Sequence, residues 1–506
     1  MSSAPRSEAP RANGAGFADA ALALLLFVGA LLLYGCGFRA SLFDDGEVFS
    51  HYFVASDSQV WYHVVYLPAA RALHALLAPL GSADHLLGLK ALSVASAALG
   101  LACTFAASRS LGCARGPALV ATLCLALSPC LWFFATTIEL HATHFASVAF
   151  AAAGILAARR WPFAAHLALA ALLFPLLYLT HNSGAIYGLG YVALFALARV
   201  RGGERFSLAR TLFVVGPVLL ASLLLVIASC NAWRSLGWTL GLGGTFAYID
   251  SWHAGRAVDL VFLRDELLIA EGALWLLLLR ALLARAVPKE ELLAALLAAL
   301  PVAGFFLWFA FPSRGGYFSG IAFFLALLAA RCPWPRAPLG AGLVAALLLG
   351  AQGWLGAREL QRYEERFASS DDGGERARAV RVALGPRLGA KRAALLAFEP
   401  RLRPIQLDLR GCVEIPLHHR VPAFLGPPID AAGFSGAVLQ QVEEHLASGE
   451  WLVCYERMAD ESLAAWPAEV RELIQGFEGE VRARFAVEEL RVEERGFWRL
   501  ELRSPP

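Results

Sequence analysis

The chain has 506 residues, of which 58% are hydrophobic and only 17% are charged. Soluble domains carry about 25% charged residues, so this composition argues against an ordinary soluble enzyme and against a disordered chain. The formal net charge is +2, which leaves no basic surplus for a phosphate backbone. No nucleic acid is therefore expected as a partner.

Charged residues are concentrated towards the C-terminal end. Residues 357–506 hold 46 of the 84 charged side chains. This uneven distribution predicts three parts: residues 1–16 as a cytoplasmic tail, residues 17–356 as a multi-pass membrane domain, and residues 357–506 as an extracytoplasmic domain.

The membrane part contains about eleven apolar stretches. A helix needs about 20 apolar residues to cross a bilayer, so each stretch is interpreted as a transmembrane helix in the lipid bilayer. The predicted fold class is an α-helical multi-pass membrane protein with a small C-terminal α/β domain. The stretches lie near 17–37, 86–107, 117–134, 141–158, 162–180, 184–198, 208–229, 266–284, 292–311, 317–330 and 338–356.

Basic residues alternate between the predicted loops. With the N-terminus in the cytoplasm, the inner segments hold 15 Lys and Arg, whereas the outer loops hold seven. Cytoplasmic loops are normally the ones enriched in Lys and Arg, so the C-terminal domain is predicted outside; an error of one span would place it inside. The composition, rich in Ala, Leu and Arg, is typical of a GC-rich bacterial genome, which predicts an inner-membrane protein with a periplasmic outer face.

Ionisable and aromatic side chains collect at the predicted outer ends of the spans. Single acids in outer loops are often only solvated, and Trp and Tyr at span ends commonly form an interfacial belt. Glu139 is harder to explain in this way. It lies in a tight turn between two apolar stretches, where a charge drawn into hydrocarbon costs up to ~2.5–3.5 kcal/mol. The polar segments are 43–66, 136–144, 181–184, 231–265 and 312–317.

The spacing of these residues narrows their roles. Asp44 and Glu47 are three residues apart, so one helical turn puts both on one face, whereas an extended segment points Asp44 and Asp45 in opposite directions. Either geometry lets one of the two aspartates enter a site, and Asp44 is favoured. His141 and His144 have the same spacing, which could hold a divalent metal. Without a third and a fourth ligand this is a weak signal, and no other cofactor is indicated.

Arg314 is the one basic residue in a short outer loop late in the membrane domain, and it is followed by two glycines and Tyr317. Glycine lets the backbone approach a ligand closely, and arginine can hold a phosphate with two donors. The alternative is an arginine that reaches lipid headgroups from the end of a span. Both interpretations stay open.

These segments together resemble the GT-C superfamily of integral-membrane glycosyltransferases. The resemblance lies in Asp44–Glu47, the aromatic first loop, Thr137–His141 and the late Arg314-x-x-Tyr317. It is closest to bacterial relatives of the transmembrane protein O-mannosyltransferases, which typically read Asp-Ser-Gly-Glu in the first loop and carry an Ala-Glu-Val-Tyr-like motif later. This chain has Asp45 in place of the Ser and His141 in place of the Tyr. The resemblance covers roughly residues 17–330.

The resemblance implies transfer of a sugar from a polyprenyl-phosphate-linked donor to a hydroxyl of a protein, lipid or glycan acceptor, with mannose as one candidate sugar. Asp44 would act as the general base, with Asp45 as the alternate. Glu47 and Glu139 would shape the site or bind sugar hydroxyls. The remaining residues would bind the substrate, chiefly by stabilising the departing phosphate: His141, His181, Arg314 and Tyr317.

The C-terminal part is predicted to be a helical stalk, residues 357–383, followed by a small α/β domain that docks the acceptor or covers the membrane site. Cys412 and Cys454 both fall in predicted strands, which leaves a disulfide between them open. The predicted strands are Ala393–Phe398, Cys412–Pro416, Trp451–Glu456, Phe485–Val492 and Phe497–Leu502, the last two forming a hairpin, and the predicted helices are Val438–Ala447 and Pro467–Phe477.

Two other classes of function remain as alternatives. A transporter or lipid flippase usually places ionisable residues near the bilayer midplane, often in inverted repeats. A non-enzymatic scaffold or sensor would not require the polar segments to converge. Convergence of Asp44, Glu139, His181 and Arg314 on one outer-facing cavity would favour the enzyme.

Overall fold

The structure is a computed structural model that describes most of the membrane part and the core of the C-terminal part. Asp44, Asp45 and Glu47 lie outside the described residues. These are 13–38, 65–80, 86–204, 207–234, 263–308, 314–368, 391–397, 412–416, 431–457, 468–492 and 495–503, with isolated positions at 49, 53, 382, 384, 386 and 387.

Helices make up the described membrane part. Short 3₁₀ turns cover Ala78–Leu80, Ala158–Arg160, Asn182–Tyr187 and Arg314–Tyr317, and a π-helix covers Arg264–Ile269. The α-helices are α1 (Asn13–Cys36), α2 (Tyr66–Leu77), α3 (Leu87–Ser110), α4 (Arg115–Ala126), α5 (Pro129–Ala135), α6 (His141–Ala157), α7 (Phe163–Thr180), α8 (Gly188–Arg201), α9 (Leu208–Arg234), α10 (Gly272–Leu283), α11 (Lys289–Trp308), α12 (Phe318–Ala329) and α13 (Pro338–Ala368).

Each predicted stretch corresponds to a helix or to a bent pair of helices. Among the described residues, eight helices are long and apolar enough to cross a membrane, nine if α4 and α5 form one span, and two shorter apolar helices lie at Gly272–Leu283 and Gly315–Ala329. The mostly helical multi-pass fold class is thus confirmed, with an approximate span count.

The third predicted span is wrong in one respect, because it is not one continuous helix. The chain bends by 60° between α4 and α5. Ser128 is extended, with φ −66° and ψ 130°, and Pro129 opens α5. A residue before proline is disfavoured in the helical region and proline lacks an N–H, so the helix ends here and restarts in a new direction.

Small residues allow the helices of the core to pack closely. A Cβ on Gly100 of α3 would lie 2.3 Å from a ring carbon of Phe145 in α6, and one on Gly190 of α8 would lie 2.3 Å from the Cβ of Ala298 in α11. Between apolar helices in a membrane, such close approach supplies van der Waals contact where the hydrophobic effect supplies little.

Ion pairs connect the helices at the end of the bundle remote from residue 139. Asp19 accepts from Arg109 and Arg115, at 3.0 Å and 2.6 Å. Glu291 pairs with both Arg201 and Arg331. These arginines belong to the predicted inner segments. The cytoplasmic identity of this end remains a prediction.

The C-terminal part contains a five-stranded sheet in the order β2-β1-β3-β5-β4. Strand β1 is parallel to β2 and β3, while β5 is antiparallel to β3 and β4. The five predicted strands and the hairpin are confirmed, and the two helices are longer than predicted. The elements are β1 (Arg392–Ala397), β2 (Cys412–Pro416), α14 (Ala431–Ala447), β3 (Trp451–Glu456), α15 (Ala468–Arg484), β4 (Phe485–Val492) and β5 (Arg495–Leu502).

A disulfide between Cys412 and Cys454 is ruled out by the strand order. Cys412 pairs with Ala393 on one side of β1, and Cys454 pairs with Leu395 on the other side. Neighbouring strands are about 4.8 Å apart, so the cysteines are about two strand spacings apart, beyond the reach of roughly 7 Å between Cα atoms that a disulfide tolerates. Cys454 is a free, buried thiol.

Candidate active site

Two histidines and a tyrosine from three predicted polar segments meet at one end of the helix bundle. His141 begins α6, His181 follows α7, and Tyr317 ends the 3₁₀ turn before α12. The Tyr317 ring lies 4.4 Å from the His141 ring and 4.6 Å from the His181 ring, centroid to centroid. The structure therefore brings together residues that are up to 176 positions apart in sequence.

Glu139 lies beside this group in the turn between α5 and α6. Its side chain is 1% exposed, and its Oε2 is 3.9 Å from Nε2 of His141, which is equally buried. The turn is held by hydrogen bonds from the hydroxyls of Thr136 and Thr137 to the carbonyl of Phe133. A carboxylate at such burial is costly unless polar partners surround it, and His141 is one of them.

His181 is bound by the protein at both ring nitrogens. The backbone N–H of Ser183 donates to Nδ1 at 3.0 Å, and the Ser183 Oγ lies 2.7 Å from the same atom. Nε2 lies 2.6 Å from the Tyr317 hydroxyl. The structure joins His181 to the cluster through Tyr317, and its predicted role at a departing phosphate stays a prediction.

The two glycines after Arg314 allow the turn to lie directly against other side chains of the cluster. A Cβ on Gly316 would come within 2.3 Å of Cγ of His141. A Cβ on Gly315 would come within 2.8 Å of Oε2 of Glu266 and 2.7 Å of the Tyr363 hydroxyl. The glycines thus permit close approach to protein groups. The Arg314 side chain lies outside the described part of the chain.

Glu266 and Tyr363 were not among the predicted site residues, and His144 was named only as a possible metal ligand together with His141. Glu266 is 4% exposed and belongs to the π-helix, an irregularity often found at functional sites. Tyr363 lies in α13, where a charged stalk was predicted. His144 is fully buried, with its ring 5.6 Å from that of His181 and 6.0 Å from that of Tyr317. The acid at the start of an apolar run was the one signal that could have identified Glu266.

Residues of the first predicted outer loop pack next to Glu139. Phe49 and Tyr66, whose rings are 4.5 Å apart, share a buried cluster with Ile138 and Leu140, the two neighbours of Glu139. Described residues on the C-terminal side of the acidic run therefore contact the turn that carries Glu139.

The cluster offers carboxylates, imidazoles and phenolic hydroxyls in a buried setting. Hydrogen-bonding groups are electrostatically stronger there than in water, so they can bind a polar or charged ligand group and orient it. Within the described ranges, no group of three or more His, Cys, Asp or Glu side chains is placed to hold a metal ion.

No protein-family model matches the sequence, and no curated protein sequence matches it. Two solved structures are similar over nearly their whole length. The crystal structure of ArnT from Cupriavidus metallidurans bound to undecaprenyl phosphate has a TM-score of 0.56 and 15% identity, covering 96% of this chain and 98% of ArnT. The apo structure gives 0.54 and 14%, covering 97% and 98%. At this identity the similarity shows the fold alone. Together with the apolar helices and the five-stranded sheet described above, it confirms the predicted multi-pass helical membrane fold with a small C-terminal α/β domain.

Proposed function

We propose that this chain is a membrane glycosyltransferase that takes a sugar from a polyprenyl-phosphate-linked donor. The observation that carries the proposal is the convergence of Glu139, His141, His181 and Tyr317 at one end of the bundle. A scaffold would not require this convergence, and a transporter would be expected to place such groups near the bilayer midplane.

The fold supports the same proposal. The solved structure that matches 96% of this chain holds undecaprenyl phosphate, a polyprenyl phosphate. A fold that binds such a lipid in one protein makes a lipid-phosphate substrate reasonable in another, although fold alone does not fix function. The buried acids and imidazoles then supply the chemistry at the sugar and phosphate end of the donor.

The proposed reaction is a displacement at the anomeric carbon. Asp44 takes the proton of the acceptor hydroxyl, whose oxygen forms a bond to the anomeric carbon as the bond to the phosphate oxygen breaks. The phosphate leaves with the electron pair. A general base works best within hydrogen-bond reach of its proton, and the departing phosphate needs fixed donors where its charge develops.

The other residues have supporting roles in this proposal. Glu139 and Glu47 bind sugar hydroxyls or shape the site, Asp45 is the alternate base, and His141 and Arg314 stabilise the phosphate. Tyr317 contributes its hydroxyl to that phosphate. Because Glu139 and His141 are each 1% exposed, these interactions act in a low-dielectric setting where they are stronger than in water.

The acceptor is proposed to be a hydroxyl of a protein, lipid or glycan at the periplasmic face of the inner membrane, and mannose is one candidate sugar. The C-terminal domain would cover the site or dock the acceptor. Tyr363 supports a link between the membrane part and the C-terminal domain. It lies near Gly315 and belongs to α13, which runs on past the predicted domain boundary at residue 356.

Substitution of Asp44 tests the proposed base. Asp44→Asn keeps the shape of the side chain but cannot accept the proton, so transfer of labelled sugar in isolated membranes should be abolished while insertion and abundance stay normal. Asp45→Asn is the matched control and should retain transfer. Full activity in Asp44→Asn would remove Asp44 from the mechanism, and loss in Asp45→Asn alone would assign the base to Asp45.

A further inference from the structure

His181 forms a directional chain of hydrogen bonds that ends on the Tyr317 hydroxyl. Its backbone is extended, with φ −160° and ψ 139°, and its side chain caps the 3₁₀ turn Asn182–Tyr187 by accepting from the Ser183 N–H. A backbone N–H can only donate. Nδ1 of His181 must therefore present its lone pair to Ser183.

This contact fixes the form of the imidazole. In a neutral histidine one ring nitrogen carries the proton and the other accepts. With Nδ1 accepting from Ser183 at 3.0 Å, the proton is on Nε2. Nε2 is the atom that lies 2.6 Å from the Tyr317 oxygen, so His181 donates and Tyr317 accepts.

The fixed direction determines what Tyr317 can offer to a ligand. A phenol that accepts from Nε2–H turns its own O–H away from the histidine and donates it elsewhere. Stacking of the Tyr317 ring on Phe306, with centroids 4.2 Å apart and planes 10° apart, holds the ring that carries the hydroxyl. The hydroxyl is thereby oriented as a donor.

We propose that Ser183 and His181 are positioning residues that hold the Tyr317 hydroxyl as a hydrogen-bond donor towards the donor lipid's phosphate. This inference rests on the proposed function, because that function supplies the phosphate. A phosphate oxygen only accepts hydrogen bonds, so it gains from a partner fixed as a donor. His181 acts on the ligand through Tyr317 and does not itself touch it.

His181→Asn separates this role from a structural one. The Asn Oδ1 takes the place of Nδ1 and is among the best acceptors for capping a helical turn, so the Ser183 contact and the fold are retained. The Asn side chain is too short to reach Tyr317.

A double-mutant cycle on the binding of a radiolabelled polyprenyl phosphate to the full chain in lipid nanodiscs tests the proposal. Tyr317→Phe should weaken binding about tenfold, the usual scale of one hydrogen bond to a charged group. His181→Asn should weaken it about three- to tenfold. In the Tyr317→Phe background, His181→Asn should add less than about twofold, because residues that act through one another are not additive.

Additive losses in this cycle would overturn the proposal, because they would show that His181 acts independently of Tyr317. The matched control is His166→Asn, a buried histidine at the opposite end of the bundle that bonds the Ile155 carbonyl and should leave binding unchanged.

A spectroscopic readout keeps the inference separate from the proposed function. In ¹⁵N-histidine-labelled protein, the signal that disappears in His181→Asn should show a protonated Nε2 and an unprotonated Nδ1. A protonated Nδ1 would overturn the inference. If wild-type protein failed to bind a polyprenyl phosphate, the proposed function would fail, while this spectrum would still decide the direction of the hydrogen bonds.

Discussion

Glu139 is the residue whose burial most needs an explanation. Its carboxyl is 1% exposed in a turn between apolar helices, with His141 3.9 Å away. A charge at such a position is expensive, so it is expected to serve a function. Glu139→Gln keeps the shape and loses the charge. Transfer should fall about 100-fold, the usual loss for one preorganised electrostatic group, measured as initial rates in membranes.

The matched control for Glu139→Gln is Asp19→Asn. Asp19 is also a partly buried carboxylate of the membrane part, but it pairs with Arg109 and Arg115 at the opposite end of the bundle. Its substitution should leave transfer within about twofold, the scale of an electrostatic change remote from the reaction. Equal losses in both variants would mean that Glu139 acts through stability alone.

The residues of the cluster differ in how far the sequence predicted them. Glu139, His141, His181 and Tyr317 stand out in short polar segments between apolar stretches, and the structure brings them together. Glu266 and Tyr363 were hidden because each lies in a stretch with another evident interpretation, one at the start of an apolar run and one in a charged helix. Their proximity to Gly315 depends on tertiary packing, which a single sequence does not display.

At the scale of elements, the 3₁₀ turn Arg314–Tyr317 owes its position to glycine. A methyl group on Gly316 would lie 2.3 Å from Cγ of His141, so Gly316→Ala must displace either the turn or the imidazole. Such overpacking costs about 1–3 kcal/mol. We expect a lower unfolding temperature and slower transfer, because the displaced imidazole or turn no longer holds the site; a loss of about 1.4 kcal/mol from the transition state would be tenfold in rate.

Gly304→Ala is the control for this substitution. A Cβ at Gly304 in α11 meets no atom within 4 Å, and alanine favours a helix more than glycine does. The variant should retain transfer and unfold at the same temperature or higher. If Gly316→Ala left both transfer and the unfolding temperature unchanged, the turn would not be held against α6.

The helices and strands were the most predictable level of the molecule. Long apolar stretches predict spans because a helix needs about 20 apolar residues to cross a bilayer. In the described part of the chain, each of the eleven stretches corresponds to a helix or to a bent pair of helices. The break at Ser128 was missed, although Pro129 could have signalled it, because the apolar composition continues through the bend. In the C-terminal domain the alternating and buried strands were recognised, whereas their order required knowledge of which strands pair.

At the scale of the whole molecule, the strand order of the C-terminal domain determines the state of its buried cysteine. Cys454 is fully buried in β3, and burial raises the pKa of its thiol to about 12. The thiolate is the reactive form, so native protein at pH 7–9 should react very slowly with iodoacetamide at this position. Denaturant should expose Cys454 and restore ordinary reactivity.

Mass spectrometry of alkylated peptides checks this prediction. Because the folded-state pKa is raised, burial of the neutral thiol stabilises the domain fully below the ordinary thiol pKa, and this contribution declines as the pH rises towards 12. Rapid native labelling of Cys454, or a peptide in which it is linked to Cys412, would contradict the strand arrangement.

The most direct test of the central claim is transfer of radiolabelled sugar from a panel of polyprenyl-phosphate sugars by the purified full chain in lipid nanodiscs. We predict that wild-type protein moves label from at least one donor to a hydroxyl acceptor present in a membrane extract, and that Glu139→Gln does so about 100-fold more slowly. Two results would contradict the account. One is a well-folded wild-type protein that consumes none of these donors, and the other is a Glu139→Gln variant that moves label as fast as wild type.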